Sequence, residues 1–285
     1  MKGFMIKVPA TSANVGCGFD SYGLSLNLFN SFNFRESDEF RDDNLVIEAY
    51  KYTFSYLGKE AIPIEVEIDG LVPMTRGLGS SSTCIVAGIY AALYILEGKI
   101  DKDLALDIAV EIEGHPDNVG PAIFGGLLLC VRDGERVYHK KIIPNKNLEL
   151  IGLIPDFKLR TEDSRNVISD KLLLKDAINN IQRAAVLGFA LKDLDKDLIK
   201  ICLDDKIHQP YRKSLIKGYD KIYNKSLELG ALGVYLSGAG PTMMLIADKR
   251  DDIFDDIKKN MASDFSTWQV KKLKIDPEGA FIENL

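Results

Sequence analysis

From Cys84 to Leu96 the chain runs through 13 residues of which 12 are apolar, Gly88 being the exception. A helix that is apolar on nearly every side has to lie inside a core. At 13 residues the run falls short of the ~20 that a membrane span needs. Directly before it stands Pro73-Met-Thr-Arg-Gly-Leu-Gly-Ser-Ser-Ser82. A chain that delivers glycines and hydroxyls to the start of a buried helix must arrange its other elements around that junction. Its 285 residues, 46% hydrophobic and 27% charged, suffice for a full core in about one to two domains.

The flanking patterns mix strands and helices. Residues 4–8 read as a strand entering a loop, 9–23, rich in Ser, Asn and Gly. Residues 45–57 have helical spacing, and 62–68 set Ile62, Ile64, Val66 and Ile68 against Glu65 and Glu67, as a half-exposed strand does. An amphipathic helix is predicted over 101–112, a turn-rich loop over 113–121, and paired strands over 124–131 and 136–143. The second half reads as strand (148–154), loop (155–165), long helix (176–191), a helix near Leu198 and a loop at 208–212. A helix (219–229), strand (233–236), Gly-rich loop (237–242), strand (243–247), helix (251–261) and strand (267–275) complete it. The class is α+β. Pro144, Asn145 and Asn147 interrupt the pattern and divide the chain into 1–146 and 147–285.

The formal net charge of −6 and the lack of a basic block point away from nucleic acid as a partner. Cys17, Cys84, Cys130 and Cys202 are scattered without a Cys-x-x-Cys pair, which argues against a zinc cluster or disulfide framework and fits free thiols in the cytoplasm. Residues 1–10 carry no signal-peptide plan, so no membrane partner is expected.

Four segments carry the chemistry. In Gly77-Leu-Gly-Ser-Ser-Ser82, small residues let the backbone approach a ligand, and the following helix adds its dipole: together, an anion site. Serine hydroxyls there can also hold a magnesium-bound phosphate. The alternative is a tight turn capped by serine. The loop is neither a Walker A motif nor a dinucleotide fingerprint, since Ser82 stands where the third glycine should be. In Pro9-Ala-Thr-Ser-Ala-Asn-Val-Gly-Cys-Gly-Phe-Asp20, Asn14 and Asp20 suit a polar substrate, or Asp20 caps a turn. In Glu113-Gly-His-Pro-Asp-Asn118, Glu113 is a fair magnesium ligand. His115 has no second His or Cys at zinc-ligand spacing. Ser237-Gly-Ala-Gly-Pro-Thr242 is a plain turn or a second glycine-rich wall.

In this order the segments resemble the GHMP kinase superfamily, from Val8 to about Thr242, and within it the homoserine kinase branch. Residues 9–20 and Glu113-Gly-His-Pro-Asp-Asn-Val-Gly-Pro-Ala-Ile-Phe-Gly-Gly126 are similar to that branch's motifs, as are Thr161-Glu-Asp-Ser-Arg165 and His208-Gln-Pro-Tyr-Arg212. Thr83, Gly120 and Glu162-Asp163-Ser164 depart from common family residues. The resemblance implies an N-terminal half like domain 2 of ribosomal protein S5, with a left-handed β-α-β crossover, and a ferredoxin-like C-terminal half. It implies ATP over Pro73, Arg76, Gly77, Leu78, Gly79, Ser80, Ser81, Ser82 and Thr83, with Mg2+ on Ser81 and Glu113. Asn14, Asp20, His115, Asn118, Arg165, Arg212 and Gly238 would face the small-molecule substrate, L-homoserine. Thr161, Asn14 and Arg165 would act at the reacting groups, and a homodimer is implied. The residues agree: a carboxylate suits the forked Arg165 or Arg212, and an ammonium suits Asp20. Kinases of mevalonate, shikimate or sugars, and a non-catalytic ligand sensor, are the competing readings.

Overall fold

A computed structural model describes residues 3–41 and 43–284; the ends of the expected units, at 1–2 and 285, lie outside it. The first half contains β1 (Phe4–Ala13), β2 (Tyr22–Glu36), α1 (Leu45–Tyr56), β3 (Ile64–Gly70), α2 (Ser80–Glu97), α3 (Lys102–Glu113), α4 (Pro116–Phe124), β4 (Leu127–Asp133) and β5 (Arg136–Ile142). The second contains β6 (Leu148–Ile154), α5 (Thr161–Asn166), α6 (Leu174–Asp193), α7 (Lys196–Cys202), α8 (Gln209–Arg212), α9 (Tyr219–Glu228), β7 (Gly233–Leu236), β8 (Met243–Asp248), α10 (Phe254–Asp264), β9 (Gln269–Leu273) and β10 (Phe281–Asn284).

The first sheet has the order β10-β1-β2-β4-β5, with β3 beside the far half of β2. Its centre is β2, which pairs with β1, β3 and β4 along different stretches. The register of β1 on β2 shifts between Pro9 and Ala10, where proline has no N–H to offer the ladder. The second sheet has the order β7-β8-β6-β9, all antiparallel, which is the ferredoxin-like arrangement. The chain's end does not stay with it: β10 returns to pair with β1.

The apolar run is α2, and it is a core helix as expected. Ile85, Val86, Ala87, Ile89, Tyr90, Ala91, Ala92 and Leu93 are buried against β1, α1, α3 and α4. Gly88 admits α1: a Cβ there would lie 2.2 Å from the Val46 carbonyl.

Three expected loops are helical. Residues 116–124 form α4 despite Gly120 and Pro121. Pro121 leaves the Asp117 carbonyl without its helical donor. That carbonyl lies against Gly23, where a Cβ would come within 1.7 Å. Tertiary contact therefore replaces helix propensity here. Short α5 and α8 stand where loops were expected at 155–165 and 208–212. Strands β2 and β10 are additions to the expected elements. Ile62 and Ile68 are exposed, while Ile64 and Val66 face the core.

Candidate active site

A cleft of about 360 Å³ opens where the two sheets meet. One wall is the loop before α2, residues 74–81, and the facing wall is Gly238, Ala239 and Gly240. Gly79 precedes α2 in the left-handed region (φ 67°), and no side chain caps the helix. The first-turn N–H groups are thus left for a ligand. Close packing explains the glycines. A Cβ on Gly79 would lie 2.0 Å from Thr11 Oγ1, and one on Gly77 would lie 2.2 Å from the Ser237 carbonyl.

Not every expected phosphate-loop residue reaches the cleft. Pro73 does not line it. The Arg76 guanidinium binds the carbonyls of Met74, Pro155 and Asp156, so it ties the loop to the second half. Thr83 is fully buried, donates to the Ser80 carbonyl at 2.7 Å and accepts from Asn30 Nδ2 at 2.8 Å. Ser82 is buried too, and its hydroxyl donates to Glu113 Oε1 at 3.1 Å. Ser81 is exposed and shares the cleft with Glu113. Burial pushes the Glu113 carboxyl above the usual range, against the lowering effects of His115 and the Ser82 hydrogen bond. An acid whose negative charge is opposed by desolvation gains from a cation beside it.

The other end of the cleft is made of side chains from four segments. Arg165 on α5 grips Asp20 with two bonds, of 3.0 and 3.3 Å. Arg212 on α8 is 1% exposed. Its Nε donates to the Ser164 carbonyl and its Nη1 to the Gly238 carbonyl. Burial, then the charge of Arg165, brings its pKa down to about 10, so it stays a cation at neutral pH. Phe19 lies beneath both guanidinium groups, at 6.0 Å from Arg165 and 5.3 Å from Arg212, and stacks on buried His208. Burial holds His208 down at about 4, with Arg212 adding to it against Asp205.

Asn14 adopts a left-handed conformation (φ 57°). Its amide donates to the Gly238 carbonyl at 3.0 Å and accepts from the Asp20 N–H at 2.8 Å. Asn118 Oδ1 accepts from Thr11 at 2.8 Å. His115 Nδ1 is 2.5 Å from Asp117 Oδ1. Burial alone would lower this imidazole, but the Asp117 bond and the charges of Asp117 and Glu113 raise it. Thr161 opens α5 at the mouth of the cleft, and Ser164 pins α5 to Ala239.

The structure thus brings Asn14, Arg76, Gly77, Leu78, Gly79, Ser80, Ser81, Glu113, His115, Asn118, Thr161, Arg165, Arg212 and Gly238 to one cleft, with Asp20 at its open side. Sequence reasoning missed Thr11, Asp117, Ser164 and the apolar lining of Leu45, Met74, Cys84 and Leu159. Thr11, Met74, Asp117 and Ser164 lie inside motifs already singled out, and Cys84 opens the apolar run. Leu45 and Leu159 stand apart from these segments and carry no local signal.

Comparison with known proteins agrees with this geometry. The family of GHMP kinases N terminal domains matches residues 44–126, and that of GHMP kinases C terminal matches 176–263. A homoserine kinase of Clostridium beijerinckii is 43% identical, with 97% of each chain covered. The chain belongs to the homoserine kinase family of the GHMP kinases. A homoserine kinase of Clostridium botulinum is 40% identical, with 98% of each covered. Among solved structures, the homoserine kinase of Cytophaga hutchinsonii superimposes with a TM-score of 0.88 at 28% identity, over 99% of this chain and 98% of that one. The Methanococcus jannaschii mevalonate kinase shares the fold, with a TM-score of 0.68 at 16% identity, over 95% of this chain and 98% of that one. Like its family, the chain is a kinase that phosphorylates a hydroxyl group.

Proposed function

We propose that the protein transfers the γ-phosphoryl group of ATP to the hydroxyl of L-homoserine, giving ADP and O-phospho-L-homoserine. The observation that carries this reading is the joining, in one cleft, of an uncapped helix N-terminus beside Glu113 with Arg212 and the Asp20–Arg165 pair. The first suits polyphosphate. The second suits a zwitterion.

The adenosine lies toward Leu45, Met74, Cys84 and Leu159, and the phosphates lie on Gly77 to Ser81. Glu113 and Ser81 fit Mg2+, because the half-buried Glu113 carboxyl is partly desolvated and favours a cation. When bound, Mg2+ neutralises charge on the transferred phosphate. Arg212 takes the substrate carboxylate. Asp20 takes the ammonium on the lone pairs left over when Arg165 holds both of its oxygens. Asn14 acts as a brace: both ends of its amide hold backbone, and through it the Asp20 loop follows the glycine turn. Thr161 stands at the mouth, near the reacting oxygens. Phosphoryl transfer depends mostly on position and electrostatics, so no strong general base is required. We place the protein in the cytoplasm, acting as a homodimer.

Phosphorus NMR of wild-type protein with Mg-ATP and L-homoserine tests the reaction. The expected spectrum gains ADP signals and one phosphomonoester at equal rates. ADP with inorganic phosphate alone would contradict transfer to the amino acid.

A further inference from the structure

Behind the phosphate loop, groups from four segments form an unbroken line of hydrogen bonds. The Tyr235 hydroxyl on β7 lies 2.9 Å from Ser12 Oγ on β1. Ser12 Oγ lies 2.7 Å from Ser237 Oγ in the glycine turn. Ser237 Oγ donates to the Gly77 carbonyl at 2.5 Å. Tyr235, Ser12 and Ser237 are each 0% exposed, so solvent cannot replace any link.

The last link fixes the direction of every proton. A carbonyl oxygen only accepts, and each hydroxyl has one proton. Ser237 therefore donates to Gly77, Ser12 donates to Ser237, and Tyr235 donates to Ser12. Burial also keeps the proton on Tyr235, by pushing its phenol above the usual range.

The consequence lies in the peptide that receives the last bond. The Gly77 carbonyl and the Leu78 N–H share one trans peptide plane and point in opposite directions. A carbonyl drawn toward Ser237 turns the N–H away from it. Leu78 lines the cleft, yet it is 1% exposed and its side chain belongs to a hydrophobic core. Its backbone is what the cleft meets. The neighbouring ties act on other peptides: Thr11 N–H donates to the Leu78 carbonyl and Thr242 N–H to the Arg76 carbonyl.

We propose that Tyr235, Ser12 and Ser237 are positioning residues for nucleotide binding, a one-way hydroxyl relay that locks the Gly77–Leu78 peptide with its N–H facing the phosphates. This rests on the reading that ATP lies over the loop. The test is steady-state kinetics with thermal midpoints for Ser237→Ala, Ser237→Thr, Ser12→Ala, Tyr235→Phe and the Tyr235→Phe/Ser237→Ala double variant. Ser237→Ala is expected to raise the KM for ATP about tenfold, the size of one lost buried hydrogen bond. Ser12→Ala and Tyr235→Phe give smaller rises, and Ser237→Thr, which keeps the hydroxyl, stays within about twofold of wild type. The KM for L-homoserine stays within about twofold throughout. The double variant is no worse than Ser237→Ala, because the line is already cut.

A role in packing alone would lower thermal midpoints, leave the KM for ATP in place, and overturn the proposal. So would equal rises for both substrates, or additive effects. If Ser237→Ala fails to fold, the KM for ATP of Tyr235→Phe decides on the same terms. Wild-type protein that turns over no ATP contradicts the parent reading; an active wild type with an unmoved KM in folded variants contradicts the relay alone.

Discussion

The two ends of the cleft are built by different means. The phosphate end is mostly backbone: a left-handed Gly79, an uncapped α2 and a loop pressed against the Ser237–Gly240 turn so closely that Gly77 has no room for a Cβ. The amino-acid end is mostly side chain, and its charges are already engaged. Arg165 holds Asp20, Arg212 holds two carbonyls, and His115 holds Asp117. A backbone site is rigid because steric fit leaves it no alternative. A side-chain site is rigid only while its partners hold it. Substitutions should therefore act locally at the first end and spread at the second.

The largest effect is expected at Glu113, the carboxylate at the phosphate end. Glu113→Gln should lower turnover by about 10³-fold or more, through loss of the metal-neutralised phosphate charge. The thermal midpoint should hold or rise, because desolvation of this half-buried carboxyl disfavours its ionised form. Turnover near wild type at ordinary magnesium would remove Glu113 from the site.

Next comes Arg212. Arg212→Ala should raise the KM for L-homoserine on the order of 100-fold and change that for ATP by less than about threefold. Arg212→Lys should not restore it, because an ammonium cannot hold the Ser164 and Gly238 carbonyls and a ligand in one plane. Equal rises for both substrates would show that the amino-acid end extends under the phosphates.

The smallest effect concerns pH. His208 is neutral in the fold, with a pKa of about 4, while an unfolded histidine binds its proton near 6.5. Between these values the unfolded chain holds more protons. Stability should therefore fall as pH drops from about 6.5 toward 4, by on the order of 2 kcal/mol. His208→Gln should flatten that part of the curve in denaturant titrations. An unchanged curve would show that burial does not keep this imidazole neutral in the fold.

The same contrast governs what the sequence made legible. Gly77 to Ser82 was readable because the need for close backbone approach is met by residue type and order within one segment. Helix α2 was readable from its apolar run. The motif around Glu113-Gly-His-Pro-Asp-Asn118 was readable as chemistry but not as structure, since Gly120 and Pro121 hide α4, which Gly23 and the core hold in place. Strand β2 was missed although Leu24, Leu26, Leu28, Phe32 and Phe34 alternate with polar residues; Phe29 and Asn30 interrupt the pattern midway. Buried Asn30 nonetheless serves Thr83 and the Val72 N–H. The mutual pairing of Asp20 and Arg165, 145 residues apart, has no local signature at all. Nor does the engagement of Arg76 with residues 155 and 156.

The most direct measurement compares alcohols. Purified protein with Mg-ATP is given L-homoserine, mevalonate, shikimate, galactose and L-serine side by side, and ADP release is followed in a coupled assay. Turnover is expected with L-homoserine and at background with the rest, because in the proposed site Arg212 takes a carboxylate and Asp20 an ammonium, and L-serine is one carbon too short. Turnover with mevalonate, which has no ammonium, matching that with L-homoserine would contradict the assignment of the side-chain end to an amino acid.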